Sequence, residues 1–272
     1  MSTQLPPPAE IADHYNTLLK GLKGEYIHSR WGDSEIKRRH YRQTEMAIRH
    51  ALAGVPRVGD VLEIGCGPAV WTPLFIIGAS TVHLFDISEE MLSQAKKNLQ
   101  GFEGGRHEPK VTYTCGDFVD SALPAASFDT IVSARAFEYM SDKEAFVRKC
   151  AALLRPGGTL IVITKNRAWR DLMQTAKSLA GVDRKEIPTG IAMQLDLVSW
   201  QQVVEMYRGQ GLQSVGAFPV VLGSYHRPYT WRLGLAFADW LHRRVFRQEM
   251  TTVSARTESL AESYLVIGRK PA

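Results

Sequence analysis

The chain has 272 residues, of which 44% are hydrophobic and 22% charged, and this balance predicts a substantial buried core and argues against global disorder. The net charge of +5 is too small to indicate a nucleic-acid partner by itself. The three cysteines are far apart, which argues against a disulfide framework or a zinc module and favours a reducing, cytoplasmic setting. Residues 1–10 are polar and Pro-rich, unlike a signal peptide, and no apolar run approaches the ~20 residues of a membrane-spanning helix.

Residues 1–54 are predicted to form a helical N-terminal cap. Residues 1–12 are interpreted as a flexible leader, and apolar side chains spaced three and four residues apart predict a helix over 12–22. A second helix is predicted over 34–53, capped at its start by a polar side chain. The basic residues near its beginning are interpreted as a solvated face in preference to a phosphate contact.

From residue 55 onward the sequence alternates between strand and helix patterns. Helices are predicted over 71–77, 88–99, 143–154, 168–179 and 197–210, and strands over 61–64, 81–85, 111–115, 127–133, 159–164, 213–222 and 262–268. This alternation indicates a mostly parallel sheet with helices on both faces. Residues 55–272 are therefore expected to form one α/β domain of seven strands.

A helical insert is predicted around residues 226–250. In its core, 229–247, the first half would be apolar on nearly all sides of the helix, and the second half is strongly basic. Such a helix suits a peripheral contact with an anionic membrane or a wall of a lipophilic pocket. Burial against the N-terminal helices or in a homodimer interface is the alternative, and the sequence leaves the oligomeric state open.

Three features fall where a parallel sheet would bring them to one edge. A glycine turn, Gly65-Cys66-Gly67, follows the first buried strand and allows close backbone approach to a ligand. Asp86 ends the second strand, where an acid can accept hydrogen bonds from ribose hydroxyls. Asp117 and Phe118 follow the third strand. Asp117 could accept a hydrogen bond from the exocyclic amine of adenine, and the ring of Phe118 could pack on the nucleobase. Each has an ordinary structural explanation alone, but their order along the sheet favours a nucleotide-like ligand.

The sequence resembles the class I S-adenosylmethionine-dependent methyltransferases. The motifs that carry the resemblance are Glu63-Ile64-Gly65-Cys66-Gly67, Leu84-Phe85-Asp86-Ile87-Ser88, Cys115-Gly116-Asp117-Phe118, Phe128-Asp129-Thr130-Ile131-Val132 and Leu154-Arg155-Pro156-Gly157-Gly158. The resemblance implies a Rossmann-like, mostly parallel seven-stranded sheet and S-adenosylmethionine as the cofactor. A dinucleotide dehydrogenase is the competitor, but its third glycine is replaced by Val70. The methyltransferase pattern itself is broken at Ala69, where a glycine is usual and where alanine disfavours a positive φ.

The resemblance also implies roles for individual residues. From the sheet it assigns to the cofactor Glu63, Gly65, Cys66, Gly67, Asp86, Ile87, Met91, Asp117, Phe118, Ser133 and Ala134. The aromatic segment 24–33 would fold over the cofactor as a lid, with Tyr26 and Arg30 contacting it. Packing of this segment onto the sheet is the alternative. His28 and Glu138 are the two candidates for a catalytic base, and no metal cluster is visible in the sequence.

The function expected from these features is methyl transfer to oxygen or nitrogen of a small, lipophilic metabolite. A methyltransferase acting on tRNA or rRNA is a second hypothesis, but we do not expect nucleic acid as the partner, because no Asn-Pro-Pro-aromatic motif follows the fourth strand. A non-catalytic protein that binds S-adenosylmethionine is a third. The expected location is the cytoplasm, with peripheral membrane contact through 229–247 left open.

Overall fold

The computed structural model describes residues 5–22, 25–102, 110–171, 175, 195–222, 240 and 261–272. A seven-stranded sheet forms its centre, with the order β3-β2-β1-β4-β5-β7-β6. The strands are β1 (Gly59–Ile64), β2 (Ala79–Asp86), β3 (Lys110–Cys115), β4 (Phe128–Ala134), β5 (Leu154–Lys165), β6 (Gln213–Leu222) and β7 (Ala261–Arg269). Only β7 runs antiparallel to its neighbours, so the predicted Rossmann-like, mostly parallel sheet is confirmed.

The central strands are buried on both faces, as strands of a parallel sheet covered by helices are. Residues 61–64 of β1 are all buried, as are residues 159–164 of β5. Because β1 to β5 are parallel, their carboxyl ends lie at one edge of the sheet. Ligands bind at this edge in open α/β sheets.

Five helices flank the sheet: α1 (Pro8–Leu22), α2 (Glu35–Ala53), α3 (Glu89–Leu99), α4 (Lys143–Leu153) and α5 (Trp200–Gly209). Four of them begin at a side chain that accepts a hydrogen bond from the first helical turn, which satisfies one of the otherwise unpaired backbone donors there. These caps are Ser34, Ser88, Asp142 and Ser199.

The structure corrects three boundaries. The predicted leader 1–12 is wrong from Pro8 onward, because α1 begins there and proline suits the first turn of a helix. The predicted helix over 71–77 is replaced by two short 3₁₀ turns, since Phe75 between them has a non-helical φ of −130°. Strand β5 begins at Leu154, directly after α4, and not at residue 159.

Two predictions fall on parts of the chain without a description. The insert 226–250 lies outside the described residues apart from Trp240, and so does most of the second half of the helix predicted over 168–179. Within the described ranges, no helix combines the length and the apolar character that crossing a bilayer requires.

The N-terminal elements are attached to the carboxyl edge of the sheet. In α1, Asn16 Oδ1 accepts hydrogen bonds from Ser88 Oγ at 2.7 Å and from the Glu90 backbone N–H at 3.4 Å, both at the start of α3. Between α1 and α2, Trp31 packs edge-on against Trp71 with ring centroids 5.1 Å apart. These contacts place the N-terminal elements over the ends of β1 and β2.

The Arg155–Gly158 motif lies at the opposite, amino-terminal edge of the parallel strands. Arg155 Nη1 donates to Asp60 at 2.7 Å and to Asp129 at 2.8 Å, and so ties the start of β5 to β1 and β4. Gly157 has a φ of +77° with open space around its Cα. This motif therefore helps to build the sheet and does not face the cavity described below.

Candidate active site

A cavity lies at the carboxyl edge of the sheet, under α1 and the segment that follows it. Its floor consists of the turn after β1 and the ends of β2, β3 and β4, and its roof includes Pro6, Pro8, Ile11, Tyr15, Tyr26, Arg30 and Trp31. The lining from the predicted set is Tyr26, Arg30, Gly65, Cys66, Gly67, Asp86, Ile87, Met91, Asp117, Phe118, Ala134 and Glu138. The tertiary fold thus brings together residues separated by more than 100 positions in the sequence.

The turn after β1 is held open by backbone geometry. The N–H groups of Gly65 and Cys66 both donate to the carbonyl oxygen of Phe85, at 2.8 and 3.2 Å. Gly65, Gly67 and Ala69 have φ values of +67°, +53° and +60°, all in the left-handed region that favours glycine. A Cβ at Gly67 would meet only Met91 Sδ, at 3.8 Å. The backbone here is therefore exposed to a ligand.

Replacing Ala69 by glycine is expected to stabilise the protein. Ala69 is buried, and its φ of +60° costs about 1–2 kcal/mol. Glycine removes this strain, but its greater freedom in the unfolded chain offsets about 0.4–1 kcal/mol of the gain. We expect Ala69→Gly to raise the free energy of unfolding by about 0.5–1 kcal/mol in urea denaturation. Ala126→Gly, at φ +50° but remote from the cavity, is the matched control and should show a gain of the same sign. A loss of stability in Ala69→Gly would contradict this account.

Asp86 is the best-positioned acid in the cavity. Its Oδ2 accepts from the Gly67 backbone N–H at 2.7 Å and its Oδ1 from the Ser88 backbone N–H at 2.9 Å. An ionised carboxylate has about four acceptor positions, so Asp86 keeps acceptor capacity for a ligand beyond these two bonds. Burial raises the pKa of Asp86 to about 6, while the hydrogen bonds from Ser88 and Gly67 act in the opposite direction. Asp86 thus fixes the glycine turn and offers oxygens to a diol.

Glu63 lies beneath the turn and outside the cavity lining. It is 1% exposed, and its Oε2 accepts from Thr72 Oγ1 at 2.5 Å. Burial raises the pKa of Glu63 to about 8, with the hydrogen bond from Thr72 opposing the rise and the charge of Asp86 adding to it. Glu63 therefore supports the turn from below and carries a proton over much of the neutral range.

The titration of Glu63 predicts a specific dependence of stability on pH. A carboxyl whose pKa is raised on folding binds more protons in the folded state, so folding stability falls as pH rises from its unfolded pKa near 4.5 to about 8. We expect Glu63→Gln, which keeps an acceptor for Thr72, to lose this fall and to be more stable than the wild type at pH 8. Parallel denaturation curves at pH 5 and pH 8 measure the difference. Equal pH slopes in the two proteins would refute the assignment.

The loop after β3 shapes another wall of the cavity. Asp117 Oδ1 accepts from the Val119 backbone N–H at 2.8 Å, which leaves its second oxygen for a ligand. Lys149 of α4 holds this loop, since its Nζ donates to the carbonyl oxygens of Val119, at 2.9 Å, and Ser121. Phe118 is 2% exposed, and its ring packs edge-on against Phe85 in the core.

Aromatic side chains gather at the end of the cavity that faces β4. Tyr15 of α1 and Tyr139, in the turn after β4, have ring centroids 5.9 Å apart, and burial raises the pKa of Tyr139 to about 12. Beside them, Glu138 is 1% exposed and accepts from Thr164 Oγ1 at 3.0 Å. Tyr26 and Arg30 hydrogen-bond to each other. This end therefore combines an acid, phenols and an apolar surface.

Three predicted site residues are placed elsewhere. His28, Glu63 and Ser133 are not among the residues that line the cavity. Ser133 is fully buried, and its hydroxyl has no hydrogen-bond partner within the described residues. The sequence assigned no individual role to Tyr15, Tyr139 or Arg135, which do line the cavity. Tyr15 lies in a predicted helix whose pattern says nothing about what it covers, so no local signal identifies it.

The comparisons with known proteins agree with this geometry. Residues 61–158 match a family model described as "Methyltransferase domain". A stretch of 120 residues is 32% identical to a "Probable S-adenosylmethionine-dependent methyltransferase" of Mycolicibacterium smegmatis and covers 44% of this chain and 42% of that protein. A stretch of 115 residues is 28% identical to a ubiquinone biosynthesis O-methyltransferase of Coxiella burnetii and covers 42% of this chain and 47% of that protein. The chain thus spans slightly less than half of the length of these curated relatives.

Solved structures extend the similarity to the whole fold. Magnesium protoporphyrin IX methyltransferase from Synechocystis PCC 6803, solved with bound S-adenosylmethionine, has a TM-score of 0.60 at 14% identity and covers 99% of this chain and 100% of its own. Phosphoethanolamine N-methyltransferase 2 of Haemonchus contortus has a TM-score of 0.58 at 15% identity, and the similarity covers 95% of this chain and 60% of the other. At these identities the similarity is one of fold.

Proposed function

Residues 61–158 belong to the class I S-adenosylmethionine-dependent methyltransferases, and from this premise we propose that the chain transfers a methyl group to oxygen or nitrogen of a small, lipophilic acceptor. The observation that carries the proposal is Asp86, whose carboxylate lines the cavity, accepts from the Gly67 backbone N–H and keeps acceptor capacity for a ribose. S-adenosylmethionine is the cofactor. The family supports the reaction type, and the cavity lining supports the acceptor class.

The residues present fit this cofactor. Asp86 would accept from the ribose hydroxyls, and the free oxygen of Asp117 would accept from the adenine amine. Ile87 and Met91 offer apolar contacts to the base, and the uncrowded face of Gly67 lets the backbone approach. Arg30 would pair with the methionine carboxylate, a contact to which a guanidinium is well suited.

When bound, S-adenosylmethionine supplies a methyl group that is already activated by the sulfonium. The protein therefore contributes mainly alignment of the acceptor, and it needs a base only for a protonated acceptor. Glu138 faces the cavity next to Tyr139 and would take or orient that proton. His28 is the other base candidate of the sequence, and its place outside the cavity lining makes Glu138 the choice we favour.

The acceptor class follows from the lining beside Glu138. Met140, two residues after Glu138, and Ile11, four residues before Tyr15 in α1, add apolar lining to the tyrosines. Residues 1–54 would act as a lid, because Tyr15, Tyr26 and Arg30 line the cavity from above. Such a roof excludes water from an apolar acceptor and restricts access for a polymer. A small, lipophilic metabolite therefore suits this space better than RNA does.

Isothermal titration with S-adenosylhomocysteine, followed by a methyl-transfer assay, tests the proposal. We expect micromolar binding and transfer of labelled methyl to at least one compound from a panel of phenols, amines and lipid-like acids. An absence of binding would overturn the proposal. Binding without transfer to any acceptor would favour a non-catalytic binding protein. Transfer to bulk tRNA that falls steeply with salt would favour an RNA methyltransferase.

A further inference from the structure

The segment after β4, residues 135–141, forms a wall of the cavity that neighbouring elements hold in place. Most of its residues line the cavity. At its start, the Arg135 backbone N–H donates to a carbonyl oxygen of β5 at 2.8 Å. Near its end, Lys143 Nζ donates to the Met140 carbonyl oxygen at 2.9 Å. These two contacts fix the backbone of the segment, but neither of them touches the side chain of Glu138.

The Glu138 side chain is held by Thr164 of β5. Thr164 Oγ1 donates to Glu138 Oε2 at 3.0 Å, and within the described residues this is the only hydrogen bond that the carboxylate makes. The other oxygen, Oε1, is not fully enclosed, so it faces the cavity that Glu138 lines. One carboxylate oxygen is therefore fixed by the sheet, and the other is available to a ligand.

Thr164 occupies a rigid place in the fold. It is 1% exposed and pairs with Tyr264 of β7, whose hydroxyl donates to the Val198 carbonyl oxygen at 2.9 Å. A β-branched side chain has little freedom at χ1, and a group on a strand is positioned more precisely than one on a loop. Thr164 is not among the residues that line the cavity, so it would act on a ligand only through Glu138.

The cations near Glu138 do not replace this contact. Lys143 Nζ is engaged by Asp196 at 2.8 Å as well as by the backbone. Burial lowers the pKa of Lys165, and the charge of Glu138 opposes this shift. A carboxylate that is 1% exposed is costly to bury without a hydrogen-bond donor. The orientation of the Glu138 carboxylate therefore depends on the hydroxyl of Thr164.

We propose that Thr164 is a positioning residue for methyl transfer and holds Glu138 with one carboxylate oxygen directed at the acceptor. This inference rests on the proposed function, because it assumes that Glu138 takes the proton of the acceptor. As the methyl group leaves the sulfonium and bonds to the acceptor, the O–H or N–H bond of the acceptor breaks and its proton moves to Glu138 Oε1. A carboxylate free to rotate would meet that proton less often.

Substitutions of Thr164 separate its hydrogen bond from its packing. Thr164→Val keeps the shape and removes the donor, whereas Thr164→Ser keeps the donor and removes a methyl group. The acceptor is the compound of the phenol, amine and lipid-like acid panel that the wild type methylates fastest. We expect Thr164→Val to lower kcat about 10- to 100-fold and Thr164→Ser to lower it less than about threefold. The acceptor KM and the affinity for S-adenosylhomocysteine should stay within a factor of about two.

Thr159→Val is the matched control for the loss of a buried hydroxyl. Thr159 lies on the same strand and is 1% exposed, and its hydroxyl has no hydrogen-bond partner within the described residues. Its replacement should leave kcat unchanged. Glu138→Gln gives a second comparison, because loss of a general base lowers rates about 10²- to 10⁴-fold. Adding Thr164→Val to Glu138→Gln should cause no further loss, since no base remains to be positioned.

Carbon NMR tests the contact without an acceptor. The side-chain carboxyl resonance of Glu138 is assigned by its loss in Glu138→Gln. We expect this resonance to shift in Thr164→Val and to keep its position in Thr164→Ser and Thr159→Val. Thr164→Ala and Thr164→Ser differ only by the hydroxyl, so this pair decides the matter if Thr164→Val does not fold.

Several outcomes would overturn the inference. An unmoved Glu138 resonance in Thr164→Val would do so, as would a lower kcat for Thr164→Ser than for Thr164→Val, which indicates packing. A further loss of kcat when Thr164→Val is added to Glu138→Gln would also reject it. Failure of the wild type to bind S-adenosylhomocysteine would instead reject the proposed function, while the Glu138 resonance still reports whether Thr164 holds the carboxylate.

Discussion

Gly65→Ala is expected to abolish cofactor binding and to cost about 3 kcal/mol of folding stability. A Cβ at this position would approach Ala136 Cβ more closely than the 3.0 Å that real Cβ atoms respect, and the φ of +67° adds strain of its own. The clash would be between the glycine turn and the segment after β4, and both line the cavity. A shift of either segment that relieves the clash would therefore change the shape of the cavity. Urea denaturation and titration with S-adenosylhomocysteine measure the two effects.

Variants at two other glycines distinguish the effect of the steric clash from that of the positive φ. Gly67→Ala keeps a positive φ of +53°, but its Cβ would meet only Met91 Sδ at 3.8 Å. Gly157→Ala, at φ +77° on the opposite edge, has open space. Both should lose only about 1–2 kcal/mol, and Gly157→Ala should keep full cofactor affinity. If all three variants lose the same stability, the contact with Ala136 plays no part.

Asp86→Asn is expected to lower the affinity for S-adenosylhomocysteine by about 100-fold or more, because hydrogen bonds to a charged group each contribute about 1.5–3 kcal/mol. In the wild type both carboxylate oxygens accept backbone N–H groups, from Gly67 and Ser88. An amide offers one oxygen, so its NH₂ group would face a backbone donor and the turn would shift. Isothermal titration at pH 8 measures the loss.

The wild type should also show a pH dependence that the variant lacks. Burial raises the pKa of Asp86 to about 6, so the empty protein binds a proton there below that pH. The protonated acid is a poorer acceptor for ribose hydroxyls, and we expect affinity to fall as pH drops through 6. Asp86→Asn should remain flat over pH 5–8. Asp120→Asn, an exposed acid in the same loop region as Asp117, should behave as the wild type does.

The sheet and the meeting of the glycine turn with Asp86 and Asp117 at one edge were predictable because their signals are local. Apolar runs alternating with helix patterns predict parallel strands, and each motif follows its own strand, so the topology alone brings Gly67, Asp86 and Asp117 to one edge. The glycine turn directly follows β1, and Asp86 is the last residue of β2, so each can be located from its own strand. Ala69 shows the limit of this reasoning, since the sequence marks it as irregular but only the fold reveals that it takes the strained φ of +60°.

The short turns after Trp71 illustrate a second limit. The segment 71–77 has a composition that suits a helix, but it forms two 3₁₀ turns separated by Phe75, whose φ is −130°. Tertiary constraints override propensity in such short connections. Strand β5 likewise begins at Leu154 because pairing with β4 at Phe128 extends it beyond its apolar run.

The sequence by itself determined the sheet, the family and the cofactor, because each depends on short-range patterns repeated in a fixed order. Only the tertiary structure decided what lines the end of the cavity beside β4. Tyr15 comes from α1, and Arg135 and Tyr139 come from the segment after β4, so they meet over distances that no local pattern encodes. Their meeting depends on strand order and on the docking of α1, since packing brings distant residues together.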